Sequence, residues 1–412
     1  MISLDAVIGS NYGDEGKGAL VHALCSHPQM RAVDLVIRHN GGPQAGHTVE
    51  SFDGDMRHVF STYGSGTFAG VPTYYAEAAF LYPPAISAEK EALVRLLGEK
   101  NVPALTCSPA TKEILAVDIA LCQLAEKMRD LSDPGRHGSC GMGVWEAEIR
   151  LAMRNSSRSM EEWFDKRAQQ HFHALSFSTL ENKAKARELI RVTKENLLQA
   201  GELEDVSTGA LSSWVDNSPF SIYPEANRHY LAEGAQGLLL DQNDPDHQPH
   251  VTGSYTGVDN LLTMVDGRFR APVCLENIWF VTRPYLTRHG RGPMLAAKDG
   301  EIEWENGPFQ DKTNLTGPWQ ESVRYACLDE GKLVKRILKE AAKAWNVCPR
   351  ANIHLAVSCE SHVTRLFFEV FMAVLSRQLQ FQTLLIPGQP NVTLWILNGA
   401  GPRDASSCLT PY

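Results

Sequence analysis

The sequence predicts an α/β fold: a single large domain over residues 1–412, with a mainly parallel central sheet flanked by helices. Two observations carry the prediction. Apolar runs of strand length alternate with stretches whose apolar residues recur every three to four positions, as buried parallel strands alternate with the helices that cover them. The first apolar run, LDAVIG, passes directly into SNYGDEGKG and then a helical stretch, which makes a P-loop-like phosphate loop after strand 1.

Strands are expected at 4–8, 33–37, 230–232, 278–286, 354–357 and 393–397, where apolar runs are too short for helices. Helical spacing appears at 19–25, 88–99, 114–129, 181–199 and 332–345. Segments 241–260 and 299–320 are polar and without period, and long irregular loops in a compact domain usually carry function. Residues 154–177 fit a short helical insert or a loop equally well. Ligands should gather at the carboxyl ends of the parallel strands.

Bulk composition narrows the function. Charged residues are 21% and hydrophobic ones 43% of the 412-residue chain, whose net charge is −9. An acidic balance gives no general attraction for nucleic acid or an anionic membrane, so a phosphate ligand needs a local site. The nine cysteines form no CxxC pair or zinc-like cluster, which fits reduced thiols in a cytosol. No apolar stretch approaches the roughly 18 residues of a membrane span. A soluble, intracellular protein is expected.

The chemistry starts at residues 9–18, GSNYGDEGKG. A strand, a glycine-rich turn and a helix N-terminus present unpaired backbone N–H groups to an anion. Six residues separate the first glycine from GlyLys, and Gly18 stands where a phosphate loop usually has Ser or Thr, so the standard GxxxxGK[ST] motif fails. In a plain glycine turn Asp14, Glu15 and Lys17 would have no packing role. Asp14 is the intruder, since phosphate repels a carboxylate unless a cation joins them. Magnesium resolves the conflict; a proton-accepting role or an N-cap are the alternatives. A second glycine-rich loop, RHNGGPQAGHTV, follows the second expected strand and brings His47, a candidate proton donor or hydrogen-bond partner of a phosphoryl oxygen.

Together GDEGKG and QAGHT resemble the adenylosuccinate synthetase family, whose members read WGDEGKGK and NAGHT. The resemblance continues in order through AEGAQGLLLD, PHVTGS, YLTRHGRGP and the final GP. It implies an enzyme that phosphorylates O6 of a 6-oxopurine nucleotide and displaces that phosphate with the amine of L-aspartate. By the same resemblance Asp14 is the base at N1, His47 the acid assisting phosphoryl transfer, and Lys17 the neutralising cation. Asp14 and the Gly46 carbonyl would hold Mg2+. Nucleotide and phosphate contacts fall on Asn11, Gly13, Glu15, Gly16, Gly18, Gln44, Ala45, Ser139, Cys140, Gln236, Thr252, Gly253, Ser361, Gly401 and Pro402. L-aspartate falls to Thr316, Gly317 and Arg324. A homodimer in the cytoplasm is implied as well.

Three departures bear on the substrates. The family's guanine-reading TKLD is here SCES, with Ser361 where the guanine-binding carboxylate stands, so ATP or dATP is expected over GTP. The aspartate loop reads NLTGPWQESVRYACLD, keeping Thr316, Gly317 and one arginine, Arg324, and inserting PWQES. Gln44 replaces the usual Asn beside the purine, which keeps the amide and lengthens its reach. With the unusual SFDGDMRHVFSTYGSGTFAG segment, these features resemble the phage 2-aminoadenylosuccinate synthetase branch. That branch takes dGMP in place of IMP for diaminopurine DNA, which would put the protein in a host cytoplasm. The alternatives are an ordinary IMP- and GTP-using enzyme and a non-catalytic nucleotide-binding protein; retention of Asp14, Lys17 and His47 argues against the latter.

Overall fold

The computed structural model describes residues 2–133, 135–153, 157–204, 210–215, 228–267, 273–298, 319–359, 363–383, 392–397 and 409–412. Among them the first strands are β1 (Ile2–Gly9), β2 (Leu35–Arg38), β3 (His47–Glu50), β4 (Arg57–Phe60), β5 (Thr73–Tyr75), β6 (Phe80–Leu81), β7 (Leu105–Cys107) and β8 (Lys112–Glu113). The later ones are β9 (His229–Glu233), β10 (Val273–Thr282), β11 (Tyr285–Arg288), β12 (Arg324–Cys327), β13 (Asn352–Val357), β14 (Val392–Leu397) and β15 (Leu409–Pro411). The central sheet has the order β15-β14-β13-β10-β1-β9-β2-β5-β7. Every pairing in it is parallel except β14 with β15. The predicted α/β fold with a mainly parallel sheet is the observed one.

β1 lies at the centre because it is apolar on both sides. All eight of its residues are buried. Leu4, Ala6 and Ile8 join one core, while Val7 joins the other, as alternate strand residues must. The first core is closed by α7 (Asp259–Gly267), α8 (Glu330–Val347) and α9 (Arg365–Thr383), with Leu333, Ile337, Phe371 and Leu375 facing the sheet. On the other face lies α1 (Lys17–Ser26), through Leu20, Val21 and Leu24. α2 (Pro83–Leu97) starts on two prolines, which fit a first helical turn because its N–H groups have no intrahelical acceptor.

A separate helical cluster packs α3 (Ala116–Arg129) with α5 (Met160–His173) and α6 (Leu180–Gln199), through Leu121, Phe164, Phe172 and Ile190. α4 (Val144–Ala152) sits beside it. The ambiguous region 154–177 thus contains a helix where described. Ser159 caps α5 by accepting from the Glu162 N–H at 3.1 Å, and Phe164, Ala168 and Phe172 repeat every four residues on its buried face.

The expected strand 278–286 is corrected to two strands, β10 and β11. Arg283 and Pro284 separate them; proline has no N–H for a sheet ladder and fixes its own φ. β11 then pairs antiparallel with β12, Arg288 opposite Arg324. The expected strand 33–37 is observed at Leu35–Arg38. Most of the polar segment 299–320 lies outside the described residues. Among the described residues no helix is long and apolar enough to cross a membrane.

Candidate active site

β1 ends at Gly9, and the chain turns back on itself before α1 begins at Lys17. Gly16 is the N-cap residue in a left-handed conformation, φ 93°, and no side chain caps the helix. The first-turn N–H groups of α1 are thereby left for a ligand. A Cβ on Gly9 would come within 2.5 Å of the Gln236 carbonyl oxygen, so only glycine lets the 234–237 segment close on this loop.

Glu15 laces the loop from inside. Its carboxylate accepts from the backbone N–H of Asn11 and of Gly13, each at 2.9 Å, and from Lys17 Nζ at 2.8 Å. The expectation that Glu15 and Lys17 have no packing role is corrected, because the tight turn leaves N–H groups that require a buried acceptor. Asn11 is also tied down, its Nδ2 donating to Thr282 Oγ1 at 3.0 Å and its Oδ1 accepting from Arg336 at 2.6 Å.

Asp14 adopts φ 59°, an uncommon value away from glycine, and its Oδ2 lies 3.3 Å from His289 Nε2. Burial works to raise its pKa, yet the hydrogen bond and charge of His289, with the nearby charges of Arg283 and Lys17, bring it below the ordinary value. Asp14 is therefore ionised at neutral pH and able to take a proton or bind a cation.

The second loop brings His47, which begins β3. Its Nδ1 lies 2.5 Å from Glu233 Oε1 at the carboxyl end of β9. Glu233 is fully buried and also accepts from Ser65 N–H at 3.0 Å, with Arg38 3.8 Å away. Burial opposes its ionisation, but His47, Arg38 and Ser65 together hold its pKa well below the ordinary value. An ionised carboxylate only accepts, so Nδ1 carries the proton and Nε2 is the reactive nitrogen. Nε2 is buried without a hydrogen-bond partner among the described residues. Burial, with Arg38 and Lys17, lowers the His47 pKa against the pull of Glu233.

Both loops open into one cleft of about 600 Å³, within the usual range for small-ligand sites. It brings together Gly13, Asp14, Glu15, Gly16, Lys17 and Gly18 with Gln44, Ala45, Gly46 and His47. Ser139, Cys140, Gln236, Thr252 and Gly253 line it from the other segments. The Gln44 amide is buried with neither its oxygen nor its nitrogen bonded among the described residues, and Gln236 Oε1 is in the same condition. A buried unsatisfied amide inside a cleft is what a polar ligand would complete.

Arg324 stands on β12 and donates to the Gly292 carbonyl; Gly292 lines the cleft. Thr316, Gly317, Ser361, Gly401 and Pro402 lie outside the described residues. The described start of the SCES segment abuts the phosphate loop: Ser358 Oγ donates to the Glu15 carbonyl at 2.6 Å, and Cys359 turns the chain at φ 60°. Sequence reasoning missed His289, Glu233, Arg283 and the ring pair His137–His250, 4.9 Å apart. Their only signal was proximity to quoted motifs.

The adenylosuccinate synthetase family model matches residues 6–312. The adenylosuccinate synthetase of Teredinibacter turnerae is 31% identical over 303 residues, covering 72% of this chain and 65% of that protein. That of Porphyromonas gingivalis is 30% identical over 71% of this chain and 66% of its own length. The chain thus spans about two thirds of these relatives. Among solved structures, the fully ligated adenylosuccinate synthetase of Plasmodium falciparum superposes with a TM-score of 0.64 at 16% identity, covering 99% of each chain. The cyanophage S-2L succinoaminodeoxyadenylate synthetase (PurZ), bound to dGMP and dATP, gives 0.60 at 16% identity, covering 100% of this chain and 95% of that one. The matched family model and the loop-to-loop architecture of the cleft agree: the chain belongs to the adenylosuccinate synthetase family.

Proposed function

We propose that the protein joins L-aspartate to C6 of a 6-oxopurine nucleotide through a 6-phosphoryl intermediate, with dGMP as the nucleotide and ATP or dATP as phosphoryl donor. One observation carries the reaction: an ionised Asp14 and a His47 of fixed orientation share a cleft with Lys17 and an uncapped helix N-terminus.

Asp14 takes the N1 proton, and the negative charge passes to O6. O6 attacks the γ-phosphorus, the bond to the bridging oxygen breaks, and the nucleoside diphosphate leaves. Lys17 and the uncapped N-terminus of α1, which share the cleft, would neutralise the transferring charge. His47 meets an anionic phosphoryl group, which favours its protonated, donating form. The neutral aspartate amine then attacks C6, the C6–O6 bond breaks so that phosphate departs with the original O6, and the proton shed by the nitrogen leaves with that phosphate. An amide-like oxygen leaves poorly; as phosphate it leaves well.

Magnesium suits the donors present: the ionised Asp14 carboxylate lines the same cleft as Gly46, and Mg2+ usually takes one or two carboxylates with phosphate oxygens and water. Asp14 and the Gly46 carbonyl would hold it, where it would neutralise phosphate charge.

The dGMP assignment is supported by Gln44, whose unsatisfied amide lines the cleft, and the ATP or dATP assignment by the loss of the guanine-reading carboxylate at Ser361. A second reading, IMP with GTP, is favoured by the adenylosuccinate synthetases among the curated relatives. The test incubates the protein with aspartate, Mg2+ and IMP or dGMP, each paired with GTP, ATP or dATP. Turnover of dGMP with ATP or dATP is expected; product from IMP and GTP alone transfers the assignment to the second reading. A homodimer in the cytoplasm completes the proposal, its size testable by light scattering.

A further inference from the structure

Three consecutive residues at the end of β11 fasten the phosphate loop. Thr287 Oγ1 donates to the Gly13 carbonyl at 3.3 Å, the Arg288 guanidinium lies 4.4 Å from the centre of the Tyr12 ring, and His289 Nε2 lies 3.3 Å from Asp14 Oδ2. Arg288 is itself anchored, donating to the His250 carbonyl at 2.8 Å. Of these contacts only that of His289 reaches a reactive group. His289 Nε2 meets the Asp14 carboxylate, and both residues line the cleft.

We infer that His289 is a positioning residue: its Nε2–H holds Oδ2 of Asp14 and so presents Oδ1 to the purine N1. Asp14 is a short side chain on a left-handed backbone, and the charges of Arg283 and Lys17 also act on its carboxylate. A donor just past the end of β11 fixes one of its two oxygens. Proton abstraction requires the carboxylate oxygen within hydrogen-bond reach of the N–H it attacks, and small displacements of a reacting group cost on the order of 10²-fold in rate. The role needs only an N–H donor at that point, so it does not depend on His289 carrying charge. β12, paired antiparallel with β11, carries Arg324 opposite Arg288, so the segment that orients the base is paired with the strand expected to grip aspartate.

This role rests on the proposed reaction. The experiment compares wild type, His289→Leu and His289→Gln for kcat, for KM of the nucleotide, for nucleotide affinity by calorimetry without catalysis, and for Tm. Expected for His289→Leu is a kcat loss of about 10- to 100-fold, with KM and affinity within about twofold and Tm near wild type. His289→Gln, which restores an N–H donor, should recover most of the loss. An unchanged kcat in His289→Leu overturns the inference and leaves the reaction standing. A weaker affinity without rescue by Gln also overturns it, because it makes His289 a ligand contact. Wild-type protein without turnover on any substrate pair removes the reaction, and this role with it.

Discussion

His47 and Asp14 face the same cleft but are braced at different depths. The His47–Glu233 pair is 6% and 0% exposed, 2.5 Å apart, with Arg38 and Ser65 behind it. The Asp14–His289 pair is 26% and 19% exposed and 3.3 Å apart. The first is part of the core, so disturbing it damages fold and chemistry together. The second stands at the cleft surface, where a change should affect rate alone. Only at the second pair can a mutation separate rate from stability.

The largest effect is expected at Asp14. Asp14→Ala should lower kcat by about 10²–10⁴-fold, the usual worth of a general base, with an unchanged circular dichroism spectrum and Tm. Turnover near wild type would remove Asp14 from the mechanism.

Glu233→Gln should show the contrast most clearly. It leaves the fully buried Arg38 without its carboxylate, and breaking a buried pair costs about 3–5 kcal/mol. Urea unfolding should show that loss, and kcat should fall with it because the His47 ring loses its fixed orientation. A variant as stable as wild type would contradict the idea that this brace belongs to the core.

Another buried carboxylate extends the comparison to the helical side. Glu146 of α4 pairs with Arg167 at 2.7 Å and His171 at 2.9 Å. Burial opposes its ionisation, but these partners lower its pKa from 4.5 to about 2. A depressed carboxylate stabilises the fold above its unfolded pKa, and that contribution is lost as pH falls through the folded one. Tm should therefore fall between about pH 5 and pH 2, and Glu146→Gln should flatten the decline. An equal decline in the variant would show that other groups govern acid stability.

The smallest effect is expected at Gln44. Gln44→Asn shortens the amide by one methylene and should change the dGMP-to-IMP preference by about 10-fold, since one methylene is worth about 1–3 kcal/mol in a fitted site. Competition assays would read it; an unchanged ratio would place purine selection elsewhere.

How much of this was legible in the sequence depends on distance along the chain. The phosphate loop could be read because its parts are contiguous: β1, the glycines, Asp14 and Lys17 fall within residues 2–17. Glu233 could not, since its bond to His47 spans 186 positions; nor could His289, which meets Asp14 only through the β10–β11 turn. Strands β5 and β7 escaped because three residues each are too few to show a period. α9 escaped for the opposite reason: its apolar residues, Leu366 and Val370 exposed and Phe371 and Leu375 buried, occupy both sides and blur the stripe that marks a helix.

Transfer of O6 to phosphate can be followed with an isotope. The accepted nucleotide, labelled with 18O at O6, would be turned over with aspartate, Mg2+ and the nucleoside triphosphate, and the released inorganic phosphate analysed by mass spectrometry. One 18O is expected in each phosphate released and none at C6 of the product. Unlabelled phosphate alongside formed product would contradict the 6-phosphoryl intermediate and the role given to Asp14.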